Sequence, residues 1–547
     1  MLDLWRYVVK KGAFVAADRV VTSPLFSWTW SGSDAPSFVG RLTEFRPTDS
    51  HSVIEMMDGK YLLAGHLVDT GGASPFSVDT DARNWLDHLH GFAWLRHFRE
   101  LSDPGQRRFA RTLVLDWLGR HGDFERETWA VPIASKRVLN WLKNHTLLVE
   151  GATTDEVRAI NRSLGTQIQS IKARVELACE PFDRLMARIA LLGASMCLAT
   201  EEAEVPGLVA QLEAELARQT DEDGLHLSRN PYFQLQALGE LIPVNRLLGL
   251  RQPEHVREIA ASVERMHRAF ERLVLGTREP VYMNGCGQVP VGMVLSVLAQ
   301  SSARTDQSVI SSGYGVLVDG EGRVVADGGK VPPLAHSGTA HAGALSFEYS
   351  CGGSFIVGNC GPAPSQLPES HTLFRHGSAH CAPTIDDLSA AELGGGLFIA
   401  DRLRPRSADP TLSLDRSDNV LEMRTAGYAE RYGLDLVRRL TLMGGGHTLA
   451  GQDFFVANGD TAKIPGAFSI RFHLGPGVAP EIDPAAALIR MRHRNGEQWS
   501  FLWEGAEARI EESVRHSAYY GLMRTFQIVL SGVAAPGAEA AWVITRQ

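Results

Sequence analysis

The sequence predicts an α+β multidomain protein, in which a domain of helix hairpins precedes an antiparallel β-sandwich. Three observations support this fold class. The chain of 547 residues is too long for one hydrophobic core. Apolar residues recur at helical spacing from about Trp85 to Ala299. From about residue 306 the pattern changes to many short strand-like segments without intervening helices, which is typical of a sandwich.

The helical half is clearest near residue 260, where apolar residues follow one another at steps of three and four. These residues are Val256, Ile259, Val263, Met266, Phe270 and Leu273. Further helices are predicted at roughly 85–101, 105–120, 134–149, 153–177, 184–200, 205–219 and 233–249. Short polar or Gly/Pro connections separate them, as antiparallel hairpins require.

Turn residues divide the second half into strands. Residues 314–318 run into Asp319-Gly320 and then into an apolar segment at 324–326, which predicts a hairpin. Asn495-Gly496 and the triple glycine at 444–446 each separate two further strands. The predicted regions are an N-terminal extension packing on the helices, a helical domain and a β-sandwich, at residues 1–84, 85–305 and 306–547. Ligand chemistry is expected at the junction of the last two.

Composition excludes several classes of protein. The net charge is −9 with no basic stripe, which argues against nucleic acid as a partner. The six cysteines are irregularly spaced without a C-x-x-C pair, so neither a disulfide scaffold nor a zinc ribbon is indicated. The longest uncharged apolar run, 189–200, is too short to span a bilayer, so no membrane partner is expected. With no export signal visible, we expect a cytoplasmic protein, or a periplasmic one if the start site is mis-assigned. The sequence leaves the oligomeric state unknown.

Familiar catalytic signatures are absent. The chain has no H-E-x-x-H, P-loop, G-x-S-x-G or dinucleotide-binding motif, which argues against metalloproteases, nucleotide-dependent enzymes, α/β-hydrolases and Rossmann oxidoreductases.

A polar loop precedes the helix predicted to begin at Pro231. It places His226, Arg229, Asn230 and Tyr232 within seven positions. Loops between helices often carry binding or catalytic groups. The alternative interpretation is structural, with Asn230 as a helix cap and Arg229 in a salt bridge.

A second group of polar residues lies in the β half. His341 precedes an alternation of Leu345, Phe347 and Tyr349, and Asn359-Cys360 and His380-Cys381 follow. If these segments converge, the two histidines with Asn359 or Cys360 suit a metal ion or an acidic sugar, and thiolate is the better zinc ligand. Each histidine could equally be a buried structural residue. Glu348 is predicted to be a buried hydrogen-bond acceptor.

One further segment, Asn284 to Gly287, is a turn that either faces a substrate or is purely structural.

Together these segments resemble the heparinase II/III-like family of polysaccharide lyases, in its divergent bacterial branch. The resemblance rests mainly on Ala340 to Glu348, Asn359 to Gly361, Ala379-His380 and the stretch from Asp223 to Pro231, and it spans roughly residues 60–545. The helical half adds Leu89 to Leu95 and Arg137 to Trp141. The resemblance implies an N-terminal (α/α) toroid followed by a C-terminal antiparallel β-sandwich.

The resemblance also implies β-elimination on a uronic-acid polysaccharide in the cleft between toroid and sandwich. Such a reaction needs a group that neutralises the uronate carboxylate, a base for the C5 proton and an acid for the leaving oxygen. No cofactor is required, although some members hold a structural zinc ion through two histidines and an aspartate. Here Thr339 and Gly343 replace a family histidine and aspartate, and Phe233 stands where the family tyrosine is expected, with Tyr232 one residue earlier.

The resulting assignments are hypotheses. Tyr232, His226 and His341 are predicted to be catalytic; Arg229, Asn230 and Asn284 are predicted to bind the substrate; and His341, Asn359 and His380 are predicted to hold the structural zinc. The partner is then an acidic oligo- or polysaccharide. One alternative is a glycan-binding protein of the same fold that has lost catalysis. Another is a glycoside hydrolase, which ranks last because it needs two facing carboxylates and Asp223 is the only acidic residue in the polar stretch from Asp223 to Phe233.

Overall fold

The structure is a computed structural model that describes residues 2–101, 103–199, 204–396, 398–459 and 465–547. Contacts divide the chain into two compact units. One comprises residues up to 220 together with 235–265, and the other comprises 221–234 together with 266–547. Among the described residues, no helix is both long and apolar enough to cross a lipid bilayer.

The first unit is built almost entirely from helices. Its helices, with two that continue into the second unit, are α1 (Leu2–Val21), α2 (Ser50–Met57), α3 (Arg83–Gly91), α4 (Pro104–His121), α5 (Val131–Val149), α6 (Thr154–Arg174), α7 (Pro181–Cys197), α8 (Glu204–Gln219), α9 (Pro231–Arg251) and α10 (Arg257–Arg272). A short hairpin of β1 (Lys60–Leu63) and β2 (His66–Asp69) lies in the segment that the sequence left unassigned.

Local signals set the helix boundaries. Thr153 caps α6 in a capping box with Glu156, and Pro104 follows the capping residue Asp103 at the start of α4. The helix predicted at 85–101 is instead interrupted at Phe92, which adopts a left-handed conformation with φ 58°, and a 3₁₀ segment follows. Thr200, the last residue of another predicted helix, lies outside the described residues.

A buried ionic cluster joins four segments of the helical unit. Glu44, Arg46, Lys143 on α5 and Glu240 on α9 have side chains that are at most 9% exposed. Arg46 Nη1 lies 2.9 Å from Glu240 Oε1, and Lys143 contacts Glu240 directly. Burial acts to raise the pKa of Glu44, but Lys143 and Arg46 hold it well below its ordinary value. Two positive and two negative groups therefore compensate one another inside the unit.

The second unit contains two large antiparallel sheets. The strands are β3 (Val309–Ser311), β4 (Tyr314–Asp319), β5 (Gly322–Asp327), β6 (Phe347–Cys351), β7 (Ser354–Gly358), β8 (Pro383–Ile385), β9 (Ala391–Leu393), β10 (Leu403–Pro405), β11 (Thr411–Asp415), β12 (Val420–Thr425), β13 (Leu434–Met443), β14 (Thr448–Ala457), β15 (Gly466–Leu474), β16 (Val478–Asp483), β17 (Leu488–His493), β18 (Gln498–Glu504), β19 (Glu507–Ser517), β20 (Gly521–Ala534) and β21 (Glu539–Arg546). Three helices also belong here: α11 (Val291–Leu298), α12 (His371–Phe374) and α13 (Ala429–Tyr432).

The two sheets share one hydrophobic core. One sheet has the order β11-β12-β13-β14-β21-β18-β17-β16 and the other β19-β20-β15-β7-β6-β5-β4-β3, with β8 beside β15. Phe347 of the second sheet stacks on Trp542 of the first, with ring centroids 5.5 Å apart. The predicted hairpins at 314–326 and 489–503 are present, with each pair in antiparallel register.

The contacts place residues 221–234 and 266–305 with the β-sandwich, whereas the sequence put them in the helical domain. The reason is apolar packing. Leu225, Leu273 and Val281 lie in one buried cluster with Tyr314 and Val316 of β4. Helical spacing reports which residues share a face of a helix, but not which unit that face packs against.

Candidate functional site

The polar loop before α9 is held by a buried glutamine. Gln234 Oε1 accepts from the backbone N–H of His226 at 2.9 Å, and its Nε2 donates to the carbonyls of Gly224 and Met266. Gly224 has φ 94°, which a residue with a Cβ adopts only with strain. The loop therefore has a fixed conformation before any ligand arrives.

His226 lies inside this loop and is only 1% exposed. Its Nδ1 is 2.8 Å from Ser228 Oγ, and its ring meets that of His336 edge to face at 5.3 Å. Burial lowers the pKa of His226 to about 3, and His336 acts in the same direction. The side chain is thus a neutral group that supports the loop, and proton exchange with a sugar from this position would require the loop to open.

Arg229 reaches into the sheet that contains β4 and β5. Its guanidinium donates to the carbonyls of Ser312, Gly313 and Lys330 and, at 2.7 Å, to Asp327 Oδ1. It also lies over the Tyr314 ring at 4.2 Å. The salt-bridge alternative from the sequence is therefore observed. A guanidinium with this many protein partners is poorly placed to neutralise a uronate, because its N–H groups are already engaged.

Asn230 makes the contacts of a helix cap, as the structural interpretation of the loop predicts. Its Oδ1 accepts from the backbone N–H of Tyr232 at 2.9 Å, the geometry of a helix cap at the start of α9. Its Nδ2 donates to Thr339 Oγ1 at 3.2 Å, which connects the loop to the segment that carries His341. Tyr232 follows the cap in the first turn of α9, with a partly exposed side chain.

Asn284 joins the two predicted polar groups. It has φ 53°, and its Nδ2 donates to Tyr314 Oη at 2.7 Å and to Asp327 Oδ2 at 3.3 Å. Its Oδ1 accepts from the backbone N–H of His341 at 3.4 Å. The structure therefore brings Arg229, Asn284 and His341 into one connected network, although the Asn284 amide faces protein groups.

His341 and His380 form a hydrogen-bonded pair. His341 Nδ1 lies 3.1 Å from His380 Nε2, and His380 Nδ1 lies 2.8 Å from the carbonyl oxygen of His376. Because a carbonyl can only accept, His380 must carry its hydrogen on Nδ1 and accept at Nε2. His341 must then donate from Nδ1, which leaves a lone pair on its Nε2.

Burial keeps this pair neutral. The pKa of His341 is well below its ordinary value because of burial, with His380 and Arg375 acting in the same direction. Burial lowers the pKa of His380 to about 4. The arrangement can therefore supply a neutral imidazole nitrogen as a proton acceptor at pH 7.

The polar atoms of the predicted zinc ligands are engaged with protein groups. Asn359 Oδ1 accepts from the backbone N–H of Cys381 at 2.9 Å, and its Nδ2 donates to the carbonyl of Tyr282 at 3.1 Å. His341 Nδ1 and His380 Nε2 are hydrogen-bonded to each other, so one of these two nitrogen atoms carries a hydrogen. These three residues do not fit a zinc ion as they stand, because a metal ligand must present a lone pair to the metal.

Cys360, the other predicted ligand, contributes to a different polar group. His473 Nδ1 lies 3.5 Å from Cys360 Sγ and 2.8 Å from Ser513 Oγ, and its Nε2 donates to the carbonyl of Ser378. All four residues line a cavity of about 550 Å³. Burial raises the pKa of Cys360 to about 12, so its sulfur is a neutral thiol at pH 7.

Sequence reasoning missed two members of the network, Tyr314 and Asp327. They are cross-strand partners at the open end of the predicted β4–β5 hairpin. Tyr314 Oη donates to the carbonyl of Arg229 at 2.7 Å, and Asp327 binds both Arg229 and Asn284. The strand pairing was predictable, and a tyrosine opposite an aspartate at its open end was the signal. The predicted role of Glu348 is observed: its carboxylate accepts from the backbone N–H groups of Tyr282 and Asn359.

Comparisons with known proteins agree with this architecture. A family model described as heparinase II/III-like, C-terminal, matches residues 303–543. FtsZ-localized protein C of Caulobacter vibrioides (strain NA1000 / CB15N) is 26% identical over 531 residues, covering 92% of this chain and 90% of that protein.

Two solved structures show the same fold at low sequence identity. The crystal structure of heparinase III superposes with a TM-score of 0.71 at 10% identity, covering 95% of this chain and 88% of that one. The heparan sulfate lyase HepC from Pedobacter heparinus gives a TM-score of 0.54 at 13% identity, covering 98% and 88%.

The predicted fold class, an (α/α) toroid followed by an antiparallel β-sandwich, is thereby confirmed, and it is a fold of polysaccharide lyases. The match of residues 303–543 to the heparinase II/III-like, C-terminal model agrees with the resemblance that the motifs around His341 and His380 indicated.

Proposed function

We propose that this protein is a polysaccharide lyase-like enzyme that cleaves an acidic, uronic-acid-containing polysaccharide by β-elimination. The observation that carries the proposal is the hydrogen-bonded pair of His341 and His380, which leaves a neutral lone pair on His341 Nε2. The fold shared with heparinase III supports the same reaction class.

In this proposal His341 Nε2 takes the C5 proton of the uronate. The C5–H electron pair forms the C4=C5 double bond, and the C4–O4 bond breaks with its electrons on O4. Tyr232 donates the proton that O4 needs as it leaves. Asn230 positions Tyr232 by capping α9, and its contact with Thr339 uses one of its two amide N–H groups. We assign the second N–H, which is buried until the loop before α9 opens, to the uronate carboxylate.

The direct test is to incubate the full chain with a panel of uronic-acid polymers and follow ultraviolet absorbance of the unsaturated product. His341→Gln and Tyr232→Phe should each lower kcat by roughly 10²–10⁴-fold, the range for loss of a general base or acid. His51→Gln is the matched control, because the His51 ring is 78% exposed. Wild-type protein that releases no unsaturated product from any acidic polymer contradicts the proposal.

The alternative function is glycan binding or scaffolding without catalysis. It is favoured by the network itself, because Arg229 and Asn284 direct their donors at protein atoms. The name of the Caulobacter relative states a localisation with FtsZ and no reaction. Under this alternative, acidic oligosaccharides raise the melting temperature without being cleaved. Co-sedimentation with FtsZ polymers then tests the scaffold role separately.

A further inference from the structure

Three hairpin turns of the β-sandwich unit meet at one place. They are the β4–β5 turn around Glu321, the β6–β7 turn around Gly352 and the β13–β14 turn around Gly445. Glu321 N–H donates to the carbonyl of Gly445 at 3.1 Å, and Gly352 N–H donates to the carbonyl of Glu321 at 3.2 Å. The first two turns belong to one sheet and the third to the other, so this contact joins the two layers.

Glycines make the approach of these turns close. A Cβ placed on Gly446 would lie 2.1 Å from the backbone nitrogen of Gly322, far inside van der Waals contact. Gly446 also has φ 83°. His447 follows Gly446 in the chain, and Glu321 precedes Gly322. The close contact of the two glycines therefore keeps the backbones of His447 and Glu321 near each other.

The side chains at this contact offer three different metal-binding atoms. A carboxylate oxygen of Glu321, the thiol sulfur of Cys351 and an imidazole nitrogen of His447 all lie within 4.8 Å of one another. His447 Nε2 and Glu321 Oε2 are 3.7 Å apart. In a tetrahedral zinc site with bonds of about 2.0–2.3 Å, neighbouring ligand atoms are roughly 3.3–3.8 Å apart. The existing spacing thus needs only small side-chain adjustments.

Charge and exposure are also suitable. Glu321 and a Cys351 thiolate would neutralise a divalent cation, and the nearby Arg546, which also contacts Cys351, is paired with Glu497 at 3.3 Å. Arg546 Nη1 lies 3.8 Å from Glu321 Oε2, where it can orient the Glu321 carboxylate without binding the metal itself. Cys351 is buried, whereas the side chains of His447 and Glu321 are 45% and 63% exposed. A metal ion could therefore enter from solvent and keep a water molecule as its fourth ligand.

We propose that Glu321, Cys351 and His447 form a binding site for a borderline divalent cation of the zinc type, which fastens the two sheets together at these turns. The mixed sulfur, nitrogen and oxygen donors favour such a cation over Mg²⁺ or Ca²⁺, which prefer oxygen ligands. These are not the residues to which the family resemblance assigned zinc, and the site is independent of the proposed lyase chemistry.

The test is titration of the metal-free full-length protein with Co²⁺, followed by a thiolate-to-cobalt charge-transfer band, and with Zn²⁺, followed by melting temperature. We expect the band to appear and Zn²⁺, but not Mg²⁺, to raise the melting temperature by roughly a few degrees. Cys351→Ser should abolish the band. His447→Gln should weaken binding at least about tenfold. Because the His447 side chain is 45% exposed, this variant should fold even if the one at the buried Cys351 does not.

Cys360→Ser is the matched control, because the Cys360 sulfur also lies beside a histidine ring, that of His473. It should leave the band and the thermal shift unchanged. A protein that binds no Co²⁺, or one whose band is lost with Cys360→Ser and retained with Cys351→Ser, overturns the proposal.

Discussion

The lone pair on His341 Nε2 is available only while His341 Nδ1 carries the hydrogen and donates it to His380 Nε2. His380 is then a positioning residue for the proposed base. We expect His380→Ala to lower kcat about 10–100-fold with little change in KM, because the imidazole loses its fixed tautomer and orientation. His380→Gln should recover part of the loss, since an amide oxygen can again accept. Equal loss in both variants, or a change confined to KM, would contradict this role.

Arg229 allows a second test at single-residue scale, because substrate binding and loop support predict different results. Lysine keeps the charge but cannot reproduce the contacts to Ser312, Gly313, Lys330 and Asp327. We expect Arg229→Lys to destabilise the protein by about 2–4 kcal/mol and to expose the polar loop to limited proteolysis. Proteolysis and thermal melting measure this. Unchanged stability with a raised KM would instead restore Arg229 as a substrate ligand.

At this scale the sequence predicted which polar residues come together, but not what they bind. His226, Arg229 and Asn230 share a loop, so their proximity follows from spacing alone. Their partners Asp327 and Thr339 lie about 100 residues away, and only the folded structure shows that Asp327 binds the Arg229 guanidinium and that Thr339 binds one amide N–H of Asn230. Family resemblance assigns roles by position, whereas the free hydrogen-bonding capacity of a side chain depends on tertiary contacts.

At the scale of elements, α5 carries the most consequential buried charge. Lys143→Met removes one of two cations and leaves Glu44 and Glu240 with Arg46 alone. We expect a loss of about 3–5 kcal/mol, because an uncompensated buried carboxylate is costly. Urea unfolding followed by tryptophan fluorescence measures this loss, since Trp117 and Trp141 are buried in the same unit as Lys143.

The matched control is Lys172→Met, which removes an exposed pair with Glu204. Exposed pairs contribute about 0–1 kcal/mol, so its unfolding midpoint should barely move. Similar midpoints for the two variants would mean that the cluster around Lys143 admits water and gains little from its charges.

Helix and strand boundaries followed well from the sequence wherever capping residues and turns mark them. Pro104 and Thr153 mark the starts of α4 and α6, which lie within one residue of the predicted starts at 105 and 153, whereas α7 begins at Pro181, three residues before its predicted start. The break at Phe92 could not be predicted, because an aromatic residue in a left-handed conformation is held there by burial and not by local preference. The same holds for the division of the chain at 221–234, which depends on long-range apolar contacts.

For the whole molecule, buried histidines predict a marked sensitivity to acid. His226, His341, His380 and His473 are each at most 7% exposed, and burial lowers the pKa of every one below the ordinary value of 6.5. The unfolded chain therefore binds more protons than the folded one between pH 6.5 and the folded pKa values, which are about 3 for His226 and His473. These four histidines therefore lower the free energy of unfolding as the pH drops through this window.

Each such histidine costs about 1.4 kcal/mol at pH 5.5 relative to neutral pH, so the four together cost roughly 5–6 kcal/mol. Urea midpoints measured at pH 7.5 and 5.5 test this, and the midpoint should be clearly lower at pH 5.5. The histidine dependence is isolated with His473→Gln, whose midpoint should fall less between the two pH values by an amount equivalent to one histidine. If the midpoints of the wild type and of His473→Gln fall equally, the His473 imidazole is protonated inside the fold, and burial does not hold these histidines neutral.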